Sequence, residues 1–211
     1  YSWCQLSAGV WGQQPEDYTI DYQFWAHILA GSKGIQWFVA QSDSKDTYPA
    51  QWEEAWQLTR QFSHVRNLLL YGEPVEQVTS SNPAVFTGML ASEHAAVVIA
   101  LNQTIDFSFN SSTFEFDSEI DPVTYTLDVT LPSWITPDQV YEVTPDGGKQ
   151  PVGWTALGGG VYRLTPADSL YKNSHVFVIG ANDLTAPETI TGLNYAEFID
   201  SANYTLSWKE P

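Results

Sequence analysis

The sequence predicts an α+β protein in which a βαβα segment is followed by an antiparallel β-sandwich. In roughly the first seventy residues, apolar side chains recur at helical spacing in two segments that alternate with short, almost wholly apolar strands. From about residue 84 onward they recur at every second position, in short runs separated by turn-forming residues. The predicted domains are therefore a βαβα segment at 1–72, a connector at 73–83, a sandwich at 84–181 and a further segment at 182–211.

The chain is predicted to open with a strand, a helix and a second strand. Residues 1–8 are apolar enough for a strand, and a helix follows within 19–39. Gly31 stands where a left-handed C-cap belongs. The next stretch, 34–39, is too short for a helix and too apolar for a surface strand, so it predicts a strand covered on both faces, as in a parallel sheet. The helical face consists of Ile20, Phe24, Trp25, Ile28 and Leu29.

A second helix is predicted to begin at Pro49, a residue suited to the first helical position, and to end at Gly72. Its broad apolar face consists of Trp52, Trp56, Phe62, Val65 and Leu69.

Polar loops follow both opening strands, at 9–18 and at 40–48. In parallel α/β sheets, ligands bind in the loops beyond the carboxyl ends of the strands. The loop carboxylates are available for catalysis, although a loop carboxylate in a chain with 25 acidic residues is usually only solvated. They are Glu16, Asp17, Asp43 and Asp46.

Period-two alternation predicts the strands of the sandwich. In 123–131, five apolar residues alternate with polar ones, so one face is expected to be buried. Turns are predicted at Pro145–Gly148 and Gly158–Gly160. The acid-rich stretch 117–121 is expected to be an exposed loop, with a calcium site as the alternative. The other predicted strands are 85–89, 95–101, 104–109, 114–116, 139–143, 161–164 and 176–179.

Charge and composition exclude several functions. The net charge of -17 disfavours nucleic acid and anionic membranes as partners. No run of apolar residues is long enough to span a membrane. A neutral ligand remains open, and the 9 Trp, 11 Tyr and 10 Phe include flat faces suited to sugars, although core packing accounts for most of them. The single cysteine, Cys4, rules out an internal disulfide and is expected to be a buried, inert thiol.

No metal or cofactor is expected. The histidines His27, His64, His94 and His175 are scattered without the i, i+4 pairing of a helical zinc site. The sequence also has no P-loop, dinucleotide fingerprint or G-x-S-x-G motif.

The segment Gly31-Ser32-Lys33-Gly34-Ile35-Gln36-Trp37 resembles the helix ending that leads into the eighth strand of many (β/α)8-barrel glycoside hydrolases. The resemblance implies that 1–8 and 34–39 are the seventh and eighth strands of such a TIM barrel, that 49–70 is the eighth helix, and that 84–181 is the β domain that often caps these barrels. Because a barrel has eight strands, this chain would supply only a remnant of one.

Such a parent hydrolyses glycosidic bonds with two carboxyl groups. In a large group of retaining enzymes the nucleophile lies at the end of strand seven, but Trp3–Ser7 holds no acid. Either the acids lie on strands four to six or the parent is not catalytic, so the catalytic residues are unknown. The predicted substrate contacts are Trp37, as a stacking face, and Gln5, Trp11 and Gln41. For Trp37 the alternative is packing between barrel and helices.

The end of the chain, from a Thr-Ala-Pro linker onward, resembles the first two strands of a fibronectin type III domain. Pro187, Gly192-Leu193 and Leu206-Ser207-Trp208 stand where that family places its opening proline, first core leucine and core tryptophan. Two strands cannot bury a core, so this segment is expected to be partly disordered or docked.

Two functional hypotheses follow. In the first, the chain is the C-terminal part of a secreted bacterial enzyme, extracellular or periplasmic, that acts on a polysaccharide or oligosaccharide. Alone it would be inactive, and its open strands would favour self-association. In the second, the sandwich binds carbohydrate or protein without catalysis, with Trp134 and Trp154 as candidate platforms, although such residues more often lie in the inter-sheet core. A fragment without a function of its own is the third alternative.

Overall fold

The computed structural model describes residues 2–5, 17–38, 49–75, 77–110, 112 and 115–180. In this part of the chain the structure is mostly antiparallel strand with two helices, which is a β-rich α+β arrangement. The helices are α1, Asp17–Leu29, and α2, Pro49–Tyr71. The strands are β1 Ser2–Gln5, β2 Ile35–Phe38, β3 Glu73–Val75, β4 Val78–Ser80, β5 Val85–Ala91, β6 Ala95–Asn102, β7 Asp106–Asn110, β8 Glu115–Glu119, β9 Leu127–Thr130, β10 Gln139–Val143, β11 Lys149–Pro151, β12 Gly153–Gly158, β13 Val161–Thr165 and β14 His175–Gly180.

The opening of the chain is a βαβ unit, as predicted. β1 and β2 pair in parallel, with Ser2 opposite Ile35 and Gln5 opposite Phe38, and α1 connects them. The predicted apolar face of α1 is largely buried, and Cys4 on β1 lies in the same hydrophobic core with no exposed surface. The prediction that Cys4 is buried is confirmed. Burial raises the pKa of its thiol to about 12, which supports the prediction of an inert cysteine.

The predicted C-cap of α1 is confirmed. Gly31 has a φ of 91°, which is the left-handed conformation that glycine adopts without a steric penalty. The Ser32 N–H donates to the His27 carbonyl at 3.0 Å, and the Gly31 N–H donates to the Ile28 carbonyl at 2.9 Å. These two hydrogen bonds form a Schellman motif and turn the chain toward β2.

Lys33, in the same turn, contacts the end of the other helix. Its Nζ donates to the carbonyls of Leu69 at 2.9 Å and Gly72 at 2.5 Å. The last carbonyls of a helix lack partners within the helix and carry partial negative charge, so an ammonium group stabilises them. One short segment therefore ends α1 and caps α2.

The predicted apolar face of α2 is correct except at Trp56. Val65 and Leu69 are buried, and Trp52 and Phe62 are partly buried against the core, but Trp56 is 59% exposed. Residue 56 lies roughly 200° around the helix axis from the buried Leu58, so it faces away from the core. The Arg60 guanidinium lies over the Trp56 ring, 5.8 Å from its centre.

Two antiparallel sheets and the two helices form three layers. The larger sheet has the strand order β11-β10-β14-β6-β5-β3, and the smaller has the order β12-β13-β9-β4. Alternate residues of β6 pack in opposite directions, with Val97 and Ile99 against the helices and Val98 against the smaller sheet. The central strands β6 and β14 are consequently buried along their whole length.

Several strand predictions need correction. β3, β4, β11 and β12 were not predicted as strands. Within the predicted strand 123–131, only β9 is a strand. Val123, at its start, instead forms an isolated bridge with Leu170. The predicted exposed loop at 117–121 is wrong for its first three residues, which belong to β8 and pair with β7.

None of the helices in the described ranges is long and apolar enough to cross a membrane. The loops 9–16 and 40–48, with Glu16, Asp43 and Asp46, lie outside the described residues, as does the fibronectin-like segment 182–211. Asp17 begins α1, but its side chain is also outside the description.

Candidate functional site

The predicted sugar contacts are only partly described. Gln5 ends β1 and pairs with Phe38, so its backbone lies at the carboxyl ends of the two parallel strands. The Gln5 side chain and all of Trp11 and Gln41 lie outside the described structure. Trp37 is half-buried, and its ring stacks on Phe24 with centroids 5.8 Å apart and planes 22° apart. Trp37 therefore has a packing contact, and its role as a sugar platform stays a prediction.

A polar cleft of about 270 Å³ lies at β10, the β10–β11 turn and the segment leading into β14. Its lining combines carboxyl, imidazole, amide, ammonium and phenol groups. Among the lining residues are Glu142, Gln150, Asp168, Tyr171, Lys172 and His175.

Strand alternation directs Glu142 and His175 toward the cleft. Tyr141 and Val143 on β10 pack in the core beside the helices, so Glu142 between them points to the opposite face. His175 begins β14, two residues before Phe177, which packs against the smaller sheet. The alternating order of side chains thus places both titratable groups on the same side of the larger sheet.

The imidazole of His175 is fixed from two sides. Its Nδ1 is 2.8 Å from the hydroxyl of the buried Tyr125, and its ring meets Phe177 edge-on with centroids 5.9 Å apart. Its Nε2 is 3.9 Å from Oε1 of Glu142, which is too long for a direct hydrogen bond but lets one water or ligand hydroxyl contact both groups. The Glu142 and His175 side chains are only 13% and 10% exposed.

Helix α1 holds the segment that leads into β14. The backbone N–H of Ser174 donates to Oδ1 of the buried Asp21 at 2.9 Å, and the Ser174 hydroxyl also contacts this carboxylate. Because Ser174 precedes His175 and lines the cleft, α1 positions one wall of the site.

Burial sets the protonation of the cleft. Burial and, to a lesser extent, the nearby Asp168 carboxylate together raise the pKa of Glu142 to about 7. Burial lowers the pKa of His175 to about 4, although Asp168 opposes that change. Burial also raises the pKa of Tyr125, with a contribution from the charge of Glu142. Between about pH 4 and pH 7 the Glu142–His175 pair therefore holds one proton, which burial places on the carboxyl group.

This arrangement allows proton exchange and hydrogen bonding near neutral pH. A carboxyl group with a pKa near 7 can donate or accept a proton there. The neutral imidazole accepts a hydrogen bond at Nε2 when its Nδ1–H donates to the Tyr125 oxygen, and donates one at Nε2 when the Tyr125 hydroxyl donates to Nδ1. Within the described ranges, no group of three or more His, Cys, Asp and Glu side chains is arranged to hold a metal ion.

This cleft was not predicted from the sequence. His175 was considered only as one of four scattered histidines, and neither Glu142 nor Asp168 was singled out. A signal was present, because Glu142 is an acidic residue inside the apolar predicted strand 139–143. The contact with Tyr125 joins residues 50 positions apart, which no local pattern indicates.

Of the two alternatives for Trp134 and Trp154, a binding platform or the inter-sheet core, the structure does not support the core. Trp134 is 63% exposed, and Trp154 is 41% exposed on β12. β12 is the edge strand of the smaller sheet, where the inward face is incompletely covered. The Trp154 ring lies 5.6 Å from that of Tyr162. The two rings form a partly exposed aromatic surface.

No protein-family model matches the sequence, and no match is found among curated proteins. Among solved structures, the cycloisomaltooligosaccharide glucanotransferase of a Paenibacillus species, complexed with cycloisomaltoheptaose, matches with a TM-score of 0.41 and 14% identity over 58% of this chain. A noncanonic maltogenic alpha-amylase from Thermotoga neapolitana matches with a TM-score of 0.39 and 10% identity over 80% of this chain. The matches span 20% and 39% of those two proteins. Likeness of this degree does not establish a shared fold.

Proposed function

We propose that this chain is the C-terminal part of a secreted glycoside hydrolase that acts on a polysaccharide or oligosaccharide. Residues 1–72 are then the last two strand–helix units of a (β/α)8 barrel. The observation that supports this proposal is the parallel pairing of β1 with β2 across α1, with α2 following β2. A barrel repeats this order and pairs its neighbouring strands in parallel. The segment Gly31–Trp37, which carries the sequence resemblance, joins these elements.

Catalysis in such an enzyme needs more than this chain supplies. A barrel builds its active site from the loops of many strands, and a glycosidase uses two carboxyl groups across the scissile bond. The segment Trp3–Ser7, at the end of the proposed seventh strand, has no acid. We therefore expect the 211-residue chain alone to release no reducing ends from polysaccharides, and measurable turnover would contradict this part of the proposal.

Amide hydrogen exchange tests the barrel directly. Among the described strands, β1 and β2 pair only with each other, whereas β6 pairs on both sides with β14 and β5. If β1 and β2 await further barrel strands, many of their amides exchange quickly in this chain and become protected in a longer gene product that carries the upstream segment. Amides of β6 are the internal control, since both forms should protect them. Equal protection of β1 and β6 in the 211-residue chain would overturn the barrel proposal.

A second candidate function is carbohydrate binding by the sandwich without catalysis. The partly exposed pair of Trp154 and Tyr162 favours it, because aromatic rings at a surface can stack on sugar rings. If this surface is the binding site, Trp154→Ala abolishes binding of soluble oligosaccharides, measured by calorimetric titration. Trp56→Ala is the matched control, since Trp56 is also exposed but lies on α2. Equal affinity in the two variants would exclude this surface.

A further inference from the structure

We propose that the cleft lined by Glu142, Asp168 and His175 binds a neutral, polyhydroxylated ligand of about one or two sugar rings. This inference rests on the proposed carbohydrate function and adds a site whose lining contains no residue of β1 or β2. The volume of about 270 Å³ lies just below the range of roughly 300–1,000 Å³ typical of pockets for drug-sized ligands, which suits a short saccharide.

The lining supplies what a sugar requires. Asp168 is an acceptor, the Lys172 ammonium is a donor, and the side-chain amide of Gln150 is both. Tyr171, which is 43% exposed, offers a ring edge or face beside them. A hydroxyl placed between Nε2 of His175 and Oε1 of Glu142 contacts both atoms across their 3.9 Å separation.

The charges of the cleft favour a neutral ligand. Asp168 and Lys172 carry opposite charges, and the Glu142–His175 pair is neutral when its one proton lies on the carboxyl group. An anionic ligand is disfavoured in addition by the net charge of -17.

The environment of Glu142 makes this binding dependent on pH. A neutral ligand displaces water from Glu142, which disfavours its charged form, so affinity is expected to fall as pH rises above about 7. The other titratable groups that interact with Glu142 are His175, Asp168 and Tyr125. The charged Lys172 lines the same cleft. His175 is neutral throughout that range because its pKa is about 4. Ionisation of Glu142 therefore dominates the expected change.

Proton NMR of the histidine rings of the 211-residue chain provides the test, since there are only four histidines and the His175→Gln spectrum identifies the His175 signals. Maltose, isomaltose, cellobiose and lactose are titrated separately at pH 6 and pH 8. At least one is expected to shift the His175 signals in a saturable manner, with weaker binding at pH 8.

Asp168→Asn is expected to weaken binding about tenfold, as for a lost hydrogen bond to a charged group. Glu142→Gln is expected to retain binding and to remove the difference between the two pH values.

Asp138→Asn is the matched control, because Asp138 is exposed and does not line the cleft. No saturable shift with any sugar, or equal losses in Asp168→Asn and Asp138→Asn, overturns the inference. A similar response to calcium or to spermidine in place of sugar also overturns it, because the cleft would then be a cation site. Sugar binding that is lost in Trp154→Ala but kept in Asp168→Asn refutes the cleft and leaves the proposed carbohydrate function intact. The barrel proposal is judged separately by the exchange of β1 and β2.

Discussion

Glu142 and His175 oppose each other in how they make stability depend on pH. The pKa of Glu142 is about 7 in the folded state, against an ordinary value of 4.5. The folding stability that Glu142 contributes is therefore fully present below pH 4.5 and is lost as pH rises through 7. The pKa of His175 is about 4 in the folded state, against an ordinary value of 6.5. The folding stability that His175 contributes is therefore fully present above pH 6.5 and is lost as pH falls through 4. Between pH 4.5 and 6.5 the folded and unfolded states of the pair both hold one proton, and the two slopes cancel.

Substituting either Glu142 or His175 should reveal how the remaining residue makes the free energy of unfolding depend on pH. In Glu142→Gln, His175 alone should make the free energy of unfolding rise by up to about 1.4 kcal/mol per pH unit between pH 4 and 6.5, relative to the unchanged protein. In His175→Gln, the free energy should instead fall with pH between 4.5 and 7. Urea unfolding at several pH values, followed by tryptophan fluorescence, measures both. Curves parallel to that of the unchanged protein in both variants would show that the pair does not share a proton.

At the scale of single residues, the sequence predicted burial better than it predicted chemistry. The alternation in 123–131 correctly placed Val123, Tyr125 and Leu127 inside, although only part of the stretch is a hydrogen-bonded strand. Apolar burial follows a local period, whereas the candidate site depends on which polar groups meet across the sheets. Glu142 meets His175 only because β10 pairs with β14, and the sequence does not specify that pairing.

Among secondary-structure elements, the four unpredicted strands share one property. β3 and β11 are the edges of the larger sheet, and β4 and β12 are the edges of the smaller one. Edge strands bury little of either face, and β12 is exposed at all six positions, so the apolar alternation that marks a half-buried strand is missing. Pro74 in β3 fits the same pattern, since proline is tolerated at sheet edges. The strands β6, β10 and β14 were predicted, because a strand with one or both faces buried carries apolar residues on those faces.

The segment between α1 and β2 acts on two helices, which gives a prediction for Lys33. In Lys33→Met, the carbonyls of Leu69 and Gly72 lose a charged donor, so the free energy of unfolding should fall by about 1–2 kcal/mol. Arg66→Met is a suitable control, since it removes a positive charge from an exposed position on α2 itself. Urea unfolding of the two variants measures the difference. Equal stabilities would mean that Lys33 contributes through net charge alone.

Cys4 reports the opening of the βαβ unit. The thiol is fully buried and its pKa is raised to about 12, so a thiol reagent such as DTNB should react with it only when β1 separates from the core. We expect less than one tenth of the rate seen in urea, where the single cysteine should react completely. Fast reaction of the native protein in buffer would show that β1 is not held against α1.

For the whole molecule, the layered arrangement leaves the two parallel strands outside both the larger and the smaller sheet, as it does the separate β7–β8 pair. The larger sheet is covered by helices on one face and by the smaller sheet on the other, which buries its central strands. Among the described strands, β1 and β2 each have one neighbour, so each offers an edge to another strand. Unpaired backbone groups at such an edge can pair with a second copy of the chain.

The net charge of -17 decides the conditions under which such pairing should be seen. Two such chains repel each other strongly at 0.01 M salt, where the electrostatic screening length is about 30 Å. The repulsion is much weaker at 1 M salt, where the screening length is about 3 Å. We therefore expect light scattering to show a monomer in dilute buffer and a dimer fraction that rises with both salt and protein concentration. Hydrogen exchange in β1 and β2 should slow as the dimer forms. The controls are Trp134→Ala and Trp154→Ala, which alter exposed aromatic residues elsewhere and should dimerise like the unchanged protein. If the chain stays monomeric at high salt and high concentration, or if dimerisation leaves the exchange of β1 and β2 unchanged, the parallel pair is not an edge that seeks further strands.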